Sequence, residues 1–323
     1  MADLEQWAFP EEMQPQGEQY RFDLEAALDS VVLLRAEIPE DAFTAQILGT
    51  ERAGNGVVIR EGLVLTIGYL ITEATAIWLT TNRGTAVAGF PLAYDQASGF
   101  GLVQPLGRLE VTPLAPGSSA SCKAGDEVVV AGHGGAAHAL KARVFAKREF
   151  AGYWEYVLEE ALFTAPAHPN WGGTALIDRG GRLVGIGSLL VQEELRGKQV
   201  QGNMMVPIDV LTPILDDLLT LGRVNRPPRP WLGLYATEVE GQLAVAGLAQ
   251  GGPADRAGLQ VGDLLLEVAG GRPAGLADLF RRVWKLGAAG VEVPFSVRRE
   301  GDTLRLTVRS ADRNDFLKKP HLH

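Results

Sequence analysis

Gly251-Gly252-Pro253-Ala254-Asp255-Arg256-Ala257-Gly258-Leu259-Gln260-Val261-Gly262-Asp263-Leu264-Leu265-Leu266-Glu267-Val268 sets a glycine-rich turn among short strands. A helix is expected after it, from Leu276 to Leu286, with Leu276, Leu279, Phe280 and Val283 at helical spacing. Upstream, Arg226-Pro227-Pro228-Arg229-Pro230 is a stiff polar linker, since proline fixes the backbone and forbids helix continuation. A domain boundary is expected there. Before the linker, Asp209 is placed to cap a helix over Val210 to Leu221, with Leu211, Ile214, Leu215 and Leu218 on one face and Gly222 ending it.

Further toward the N-terminus the pattern changes to many short apolar runs punctuated by Gly, Pro and Asn. Val31–Leu34, Gly56–Ile59, Leu63–Leu65, Thr75–Leu79, Val128–Val130 and Leu183–Ile186 have strand length and β-branched content, which points to an all-β barrel or sandwich. Leu24 to Ser30 reads as a short helix. Ahead of it, residues 1 to about 22 are polar yet carry Trp7, Phe9, Tyr20 and Phe22; disordered tails are poor in aromatics, so this arm is expected to dock.

With 323 residues, 46% hydrophobic and 21% charged, the chain is long enough for two cores. Lys+Arg 30 against Asp+Glu 39 gives a net charge of -9, which offers no basic footprint for nucleic acid or an anionic membrane surface. The single cysteine, Cys122, cannot form an internal disulfide and reads as a buried structural thiol. The start, Met1-Ala2-Asp3-Leu4-Glu5, is acidic where a secretory signal is basic, so no export is expected from this chain as written. Leu63 to Ile71 is far short of a membrane span.

The quoted stretch closely resembles the GSPAxxAGLxxGDxIL motif of PDZ domains. Trp231-Leu232-Gly233-Leu234 sits where that family has its carboxylate-binding loop, in which successive backbone N–H groups converge on an anion. The resemblance implies an α+β PDZ domain over residues 231–311. Its ligands would be peptides or protein C-termini, added as an extra strand with the last side chain in an apolar pocket, and Leu279 and Val283 would wall the groove.

Residues 31–221 resemble the trypsin-like protease domain of the HtrA/Deg family, a double β-barrel. Gly54-Asn55-Gly56-Val57-Val58-Ile59 is similar to its GSGVII strand, Lys123–Val129 to its xxGDxVV turn and strand, and Met205-Val206-Pro207-Ile208-Asp209 to its AIPxD exit into the last helix. The expected organisation is therefore mainly β: arm and short helix over 1–30, protease-like domain over 31–221, linker over 222–230, PDZ domain over 231–311 and a tail over 312–323.

A serine protease needs a histidine base, an aspartate that orients it and a serine on a tight turn. Where the family has its TNNH or TAAH histidine, this chain reads Leu65-Thr66-Ile67-Gly68-Tyr69. A phenol, with a pKa of about 10, is a poor base at neutral pH. The DxxTDLAV motif corresponds to Asp95–Val103, which puts Gly99 at the orienting position and leaves Asp95 as a turn residue. GNSGG corresponds to Pro169-Asn170-Trp171-Gly172-Gly173, so Trp171 replaces the nucleophile. The family's oxyanion hole uses the N–H two residues before the nucleophile; here that is Pro169, which has none. The resemblance thus implies a pseudoprotease.

Rescue by a relocated site would draw on His133, His138 or His168 with Ser98, Ser118, Ser119, Ser188 or Thr174, and nothing in the sequence fixes such a set. No metal is expected: His133 and His138 are flanked by no acidic or cysteine ligand and HExxH is absent. No cofactor is expected either, since the Gly132, Gly134, Gly135 cluster lacks a following Lys-Ser/Thr. Two readings remain. One is a peptide binder, scaffold or chaperone-like, that uses the PDZ groove and also the former substrate-pairing strand Ile186-Gly187-Ser188. The other is a regulatory subunit of a homotrimer or of a hetero-oligomer with an active relative, assembled through the N-terminal aromatics. Family members work outside the cytoplasm, so the periplasm is the setting if the start is truncated, and the cytoplasm otherwise.

Overall fold

Alternation along the first strands explains the first barrel: in Val31–Glu37 the residues turned inward are buried and Arg35 and Glu37 are exposed. The computed structural model describes residues 7–195 and 197–319; the first residues of the arm and the last of the tail lie outside the described residues. A short helix, α1 (Leu24–Asp29), is capped by the Asp23 carboxylate, which accepts from Ala26 N–H. It leads into a closed barrel of β1 (Val31–Glu37), β2 (Glu51–Arg60), β3 (Leu63–Ile67), β4 (Ala76–Thr80), β5 (Ala86–Tyr94) and β6 (Phe100–Pro105), in the order β1-β2-β3-β6-β5-β4. A helical turn, α2 (Ala45–Leu48), lies between β1 and β2.

A second closed barrel follows, of β7 (Glu127–Ala131), β8 (Ala139–Gly152), β9 (Tyr156–Ala165), β10 (Ala175–Ile177), β11 (Leu183–Leu195) and β12 (Lys198–Pro207), in the order β10-β11-β12-β9-β8-β7. Its core gathers Val130, Leu140, Val144, Leu162, Leu176, Val184 and Met205. Cys122 joins that core, and burial pushes its thiol up to about 11. The N-terminal arm closes onto the same barrel: Phe9 and Met13 pack against the core, and Phe9 N–H donates to Ala137 O at 2.9 Å.

The helix expected from Val210 begins later. Ile208–Val210 forms a 3-10 turn, and α3 runs only over Leu215–Leu221. Pro213 explains the delay, because its ring disfavours helix before it and it lacks an N–H. Asp209 caps no helix there; its carboxylate accepts from Ala120 N–H at 2.8 Å and Ser118 Oγ–H at 3.0 Å. Gly222 ends α3 in the left-handed conformation as expected.

Contacts divide the chain into two units. Among the described residues, one comprises 7–148, 160–224 and 318–319; the other comprises 149–159 and 225–317. The division at 224/225 falls within the expected linker. It departs from the sequence expectation at the β8–β9 tip, residues 149–159, which belongs to the second unit, and at the tail, where 312–317 does too. Apolar surface is the physical reason: Val157 is buried in the second unit's core, and Phe316 packs tilted against Trp231 with centroids 4.9 Å apart.

The second unit is a five-stranded antiparallel sheet of β13 (Leu234–Val239), β14 (Gln242–Leu248), β15 (Leu264–Val268), β16 (Glu292–Arg299) and β17 (Asp302–Arg309), in sequence order, with β13 at an edge. The quoted motif forms a turn of helix, α4 (Pro253–Arg256), with proline at its first position, and then β15. Asp263 is fully buried and paired with Arg299 at 2.7 Å, which ties the motif to β16. Leu279, Phe280 and Val283 of the amphipathic α5 (Leu276–Trp284) enter the core. Among the described residues no helix is long and apolar enough to cross a membrane.

Candidate functional site

Tyr69 lies on a 3-10 turn immediately after β3. Buried Arg52, from β2, holds that turn by donating to Tyr69 O at 2.7 Å and Thr72 O at 3.0 Å. The Tyr69 hydroxyl donates to Ser188 O at 2.9 Å. Burial pushes this phenol well above its ordinary range, only partly offset by a hydrogen bond with the Trp171 side chain. Gly99 lies beside the same turn, with its carbonyl accepting from Gly68 N–H at 2.7 Å. It adopts φ 81°, a conformation glycine enters at no steric cost. Asp95 is a turn residue as expected, its carboxylate accepting from Ser98 N–H at 2.8 Å.

The loop Pro169–Gly173 is fixed from β2. Asn55 Nδ2 donates to Asn170 O at 2.9 Å and Gly172 O at 3.0 Å, and its Oδ1 accepts from His133 N–H at 2.8 Å. A Cβ on Gly172 would lie 2.8 Å from the Tyr69 hydroxyl, so the Pro169–Gly173 loop packs directly against the turn that carries Tyr69. Trp171 is half-buried and, with Tyr69, Leu33, Arg35, His138 and Asn170, lines a cavity of about 260 Å³. Pro169 is exposed on its rim. A larger cavity, about 470 Å³, lies elsewhere, among Tyr20, Lys141, Arg143 and Arg179, and holds none of the positions matched to catalysis.

Both nitrogens of buried His168 are engaged. Nδ1 accepts from Asn170 N–H at 3.1 Å, so Nε2 carries the proton and donates to His138 O at 2.9 Å. Burial holds this imidazole neutral, with its pKa down to about 4. Trp7 stacks on His138 at 4.6 Å and meets His168 edge-on at 5.5 Å. Tyr20 and Phe22 pack on each other, Phe22 lying against Gly181. The arm's aromatics thus cap this chain's own barrel. Among the described residues there is no cluster of three or more His, Cys, Asp or Glu suited to a metal.

Ile186, Gly187 and Ser188 lie in β11, where Ile186 pairs with Ala175 of β10 and Val206 of β12. Gly187 N–H donates to Thr174 O at 2.9 Å and Gly187 O accepts from Gly173 N–H at 2.8 Å. Ser188 O is taken by the Tyr69 hydroxyl.

In the second unit, Trp231 pairs with Ala311 and Gly233 turns through φ 70°. Leu232 N–H donates to both carboxylate oxygens of Glu155, at 3.1 and 3.0 Å, and Leu234 N–H donates to Glu155 Oε1 at 3.0 Å. The loop read from the sequence as an anion cradle therefore faces a carboxylate. Burial raises the Glu155 carboxyl up to about 7, against the lowering effect of the loop amides and of Arg313. Leu279 and Val283 are fully buried in the adjoining core. Sequence reasoning missed Glu155 and Arg52; a glutamate inside Tyr153-Trp154-Glu155-Tyr156 was the available signal for the first.

A trypsin-like peptidase domain family matches residues 54–186, and a PDZ domain family matches 230–309. A DegP-like periplasmic serine endoprotease of Pseudomonas fluorescens is 28% identical over 278 residues, covering 81% of this chain and 57% of that protein. The chloroplastic protease Do-like 1 of Arabidopsis thaliana is 27% identical, covering 78% and 62%, and the serine protease Do-like HtrA of Bacillus subtilis is 21% identical, covering 89% and 71%. The chain thus spans under two thirds of the length of the first two. Among solved structures, the HtrA-type protease AlgW with decapeptide is similar in fold, at TM-score 0.51 and 19% identity, over 93% of this chain and 100% of that one. A serine endoprotease from Yersinia pestis gives 0.50 and 19%, over 90% and 98%.

Proposed function

The chain is of the HtrA/Deg type, a trypsin-like domain followed by a PDZ domain, and on that premise we propose that it binds peptides without cutting them. The observation that carries this reading is the set Tyr69, Gly99, Trp171 and Pro169 at the positions matched to base, orienter, nucleophile and oxyanion donor. A phenol whose pKa is pushed up and whose proton is donated to Ser188 O stays protonated and cannot act as a general base at neutral pH. An indole supplies no nucleophile. Losing one oxyanion donor alone costs roughly a hundred- to a thousandfold in rate. His168, the imidazole nearest the loop in sequence, has both nitrogens occupied and is not free to act as the base of a relocated site.

Binding then rests with the PDZ unit, where the Trp231–Leu234 loop directs amides at a carboxylate and β13 offers a sheet edge. The ligands are peptides or protein C-termini, and the protein acts as a scaffold, chaperone-like binder or regulator. Intramolecular packing of Trp7, Phe9, Tyr20 and Phe22 counts against an assembly built through them. The test is twofold. The full chain incubated with a fluorophosphonate probe is expected to stay unlabelled, and a labelled serine refutes the non-catalytic reading. A library of C-terminal peptides, each with an amidated twin, is expected to bind only with the free carboxylate.

A further inference from the structure

The groove beside β13 already contains a turn of this chain. At the β8–β9 tip, Tyr153 O accepts from Ala236 N–H at 3.3 Å, and the Tyr153 ring meets Tyr235 edge-on at 6.0 Å. Two residues later Glu155 reaches Leu232 and Leu234, so the tip runs antiparallel to the edge it joins. At Glu155 the main chain turns through φ 61° and returns as β9, while the side chain continues into the loop. A peptide that ended there would present its α-carboxylate; here a γ-carboxylate takes the same amides. Val157 is buried in the cluster that holds Leu232, Leu234, Leu279 and Val283. From α5, Arg281 pairs with Glu159 at 2.8 Å and with Glu149, one on each side of the hairpin.

We propose that this tip is a built-in ligand of the PDZ groove, with Glu155 standing in for a terminal carboxylate, and that an external C-terminus enters only by displacing it. The second half rests on the C-terminal reading of the groove given above. Three independent attachments hold the tip: a backbone hydrogen bond at Ala236, the carboxylate at Leu232 and Leu234, and ion pairs to α5. Removing the carboxylate leaves the other two and empties the loop. Displacing the tip whole returns Glu155 to water, which relieves the burial that raises its pKa.

The test uses the full chain, wild type and Glu155→Ala, with Arg281→Ala as a second variant that loosens the tip without touching the loop. Amide exchange at Leu232 and Leu234 reads the loop directly, and fluorescein-labelled decapeptides with free or amidated C-termini read the groove by anisotropy. Both amides are expected to exchange at least tenfold faster in Glu155→Ala. Free-carboxylate peptides are expected to bind that variant at least tenfold more tightly than wild type, with a smaller gain for Arg281→Ala. Unchanged exchange at Leu232 and Leu234 overturns the internal ligand whatever the peptides do. Equal peptide affinity in all three proteins overturns the displacement and leaves the groove reading intact. Faster exchange with no peptide bound sustains Glu155 as the loop's own ligand and sinks the C-terminal reading.

Discussion

Replacing Glu155 by alanine sets two effects of opposite sign against each other. Amides at Leu232 and Leu234 favour the ionised carboxylate, whereas full burial favours the acid. Burial wins: the group moves from an ordinary 4.5 up to about 7. Because the folded value lies above the unfolded one, the folded protein holds a proton across that window that the unfolded chain has lost. Stability from this group is full below about 4.5 and is lost as pH rises to about 7. The window is roughly 2.5 pH units at about 1.4 kcal/mol each, so wild type loses about 3 kcal/mol across it and Glu155→Ala loses none of it.

The measurement is hydrogen exchange at core amides of β16, corrected for intrinsic rates, on wild type and variant from pH 4.5 to 8. Taking the difference cancels titrations common to both proteins. Arg313, which lowers the Glu155 pKa, and the Tyr153 and Tyr235 phenols are the charged and titratable neighbours present in both. Wild type is expected to lose its advantage over the variant as pH rises, with the gap level above about pH 8. A gap that instead widens toward alkaline pH means that the amides outweigh burial, and the reasoning is wrong.

Three other perturbations address the first unit. Tyr69→Phe leaves the buried Ser188 carbonyl without its donor and is expected to cost about 1–3 kcal/mol in denaturant unfolding; no measurable loss removes the bridging role given to that hydroxyl. Combining Tyr69→His, Gly99→Asp and Trp171→Ser supplies the missing side chains but not the N–H that Pro169 lacks. Adding Pro169→Gly is expected to raise chromogenic-peptide hydrolysis a further hundredfold or more, and equal rates with and without it mean that position 169 is not the missing donor. Deleting residues 1–22 removes Phe9 and Met13, which pack half-buried against the second barrel's core, and is expected to cost less than the roughly 1.5–3 kcal/mol of a fully buried side chain for each. Light scattering should show the same oligomeric state with and without the arm; a changed state with unchanged stability makes the arm an assembly element.

The fold was legible wherever the determinant was local. Short apolar runs such as Val31–Leu34 became barrel strands, Gly222 bounded a helix in the manner its chemistry dictates, and the Gly251–Val268 motif formed the turn and β15. The expected helix from Val210 failed on a single residue, Pro213, whose breaking effect overrides the apolar spacing of Leu211, Ile214 and Leu218. At the cleft the residue identities were legible and the wiring was not. Asn55 appeared in the sequence only as part of a glycine-flanked strand, yet its amide bonds the carbonyls of Asn170 and Gly172 from more than a hundred residues away.

Glu155 shows why the second unit's boundary could not be drawn from sequence. Its partners Leu232 and Leu234 are 77 and 79 residues distant, and no period or spacing encodes that pairing. What the sequence does hold is an anomaly: a carboxylate flanked by Tyr153, Trp154 and Tyr156, at a tip where a solvated turn would be polar throughout. An ionisable group buried among aromatics needs amides or a cation to satisfy it, and the Trp231–Leu234 loop is a set of amides in search of an anion. Each feature is incomplete alone, and their complementary chemistry leads to the same groove that a free C-terminus would use. Occupancy of that groove is therefore a competition between two carboxylates, one tethered to the protein and one not, and the tether gives the internal one the advantage of effective concentration.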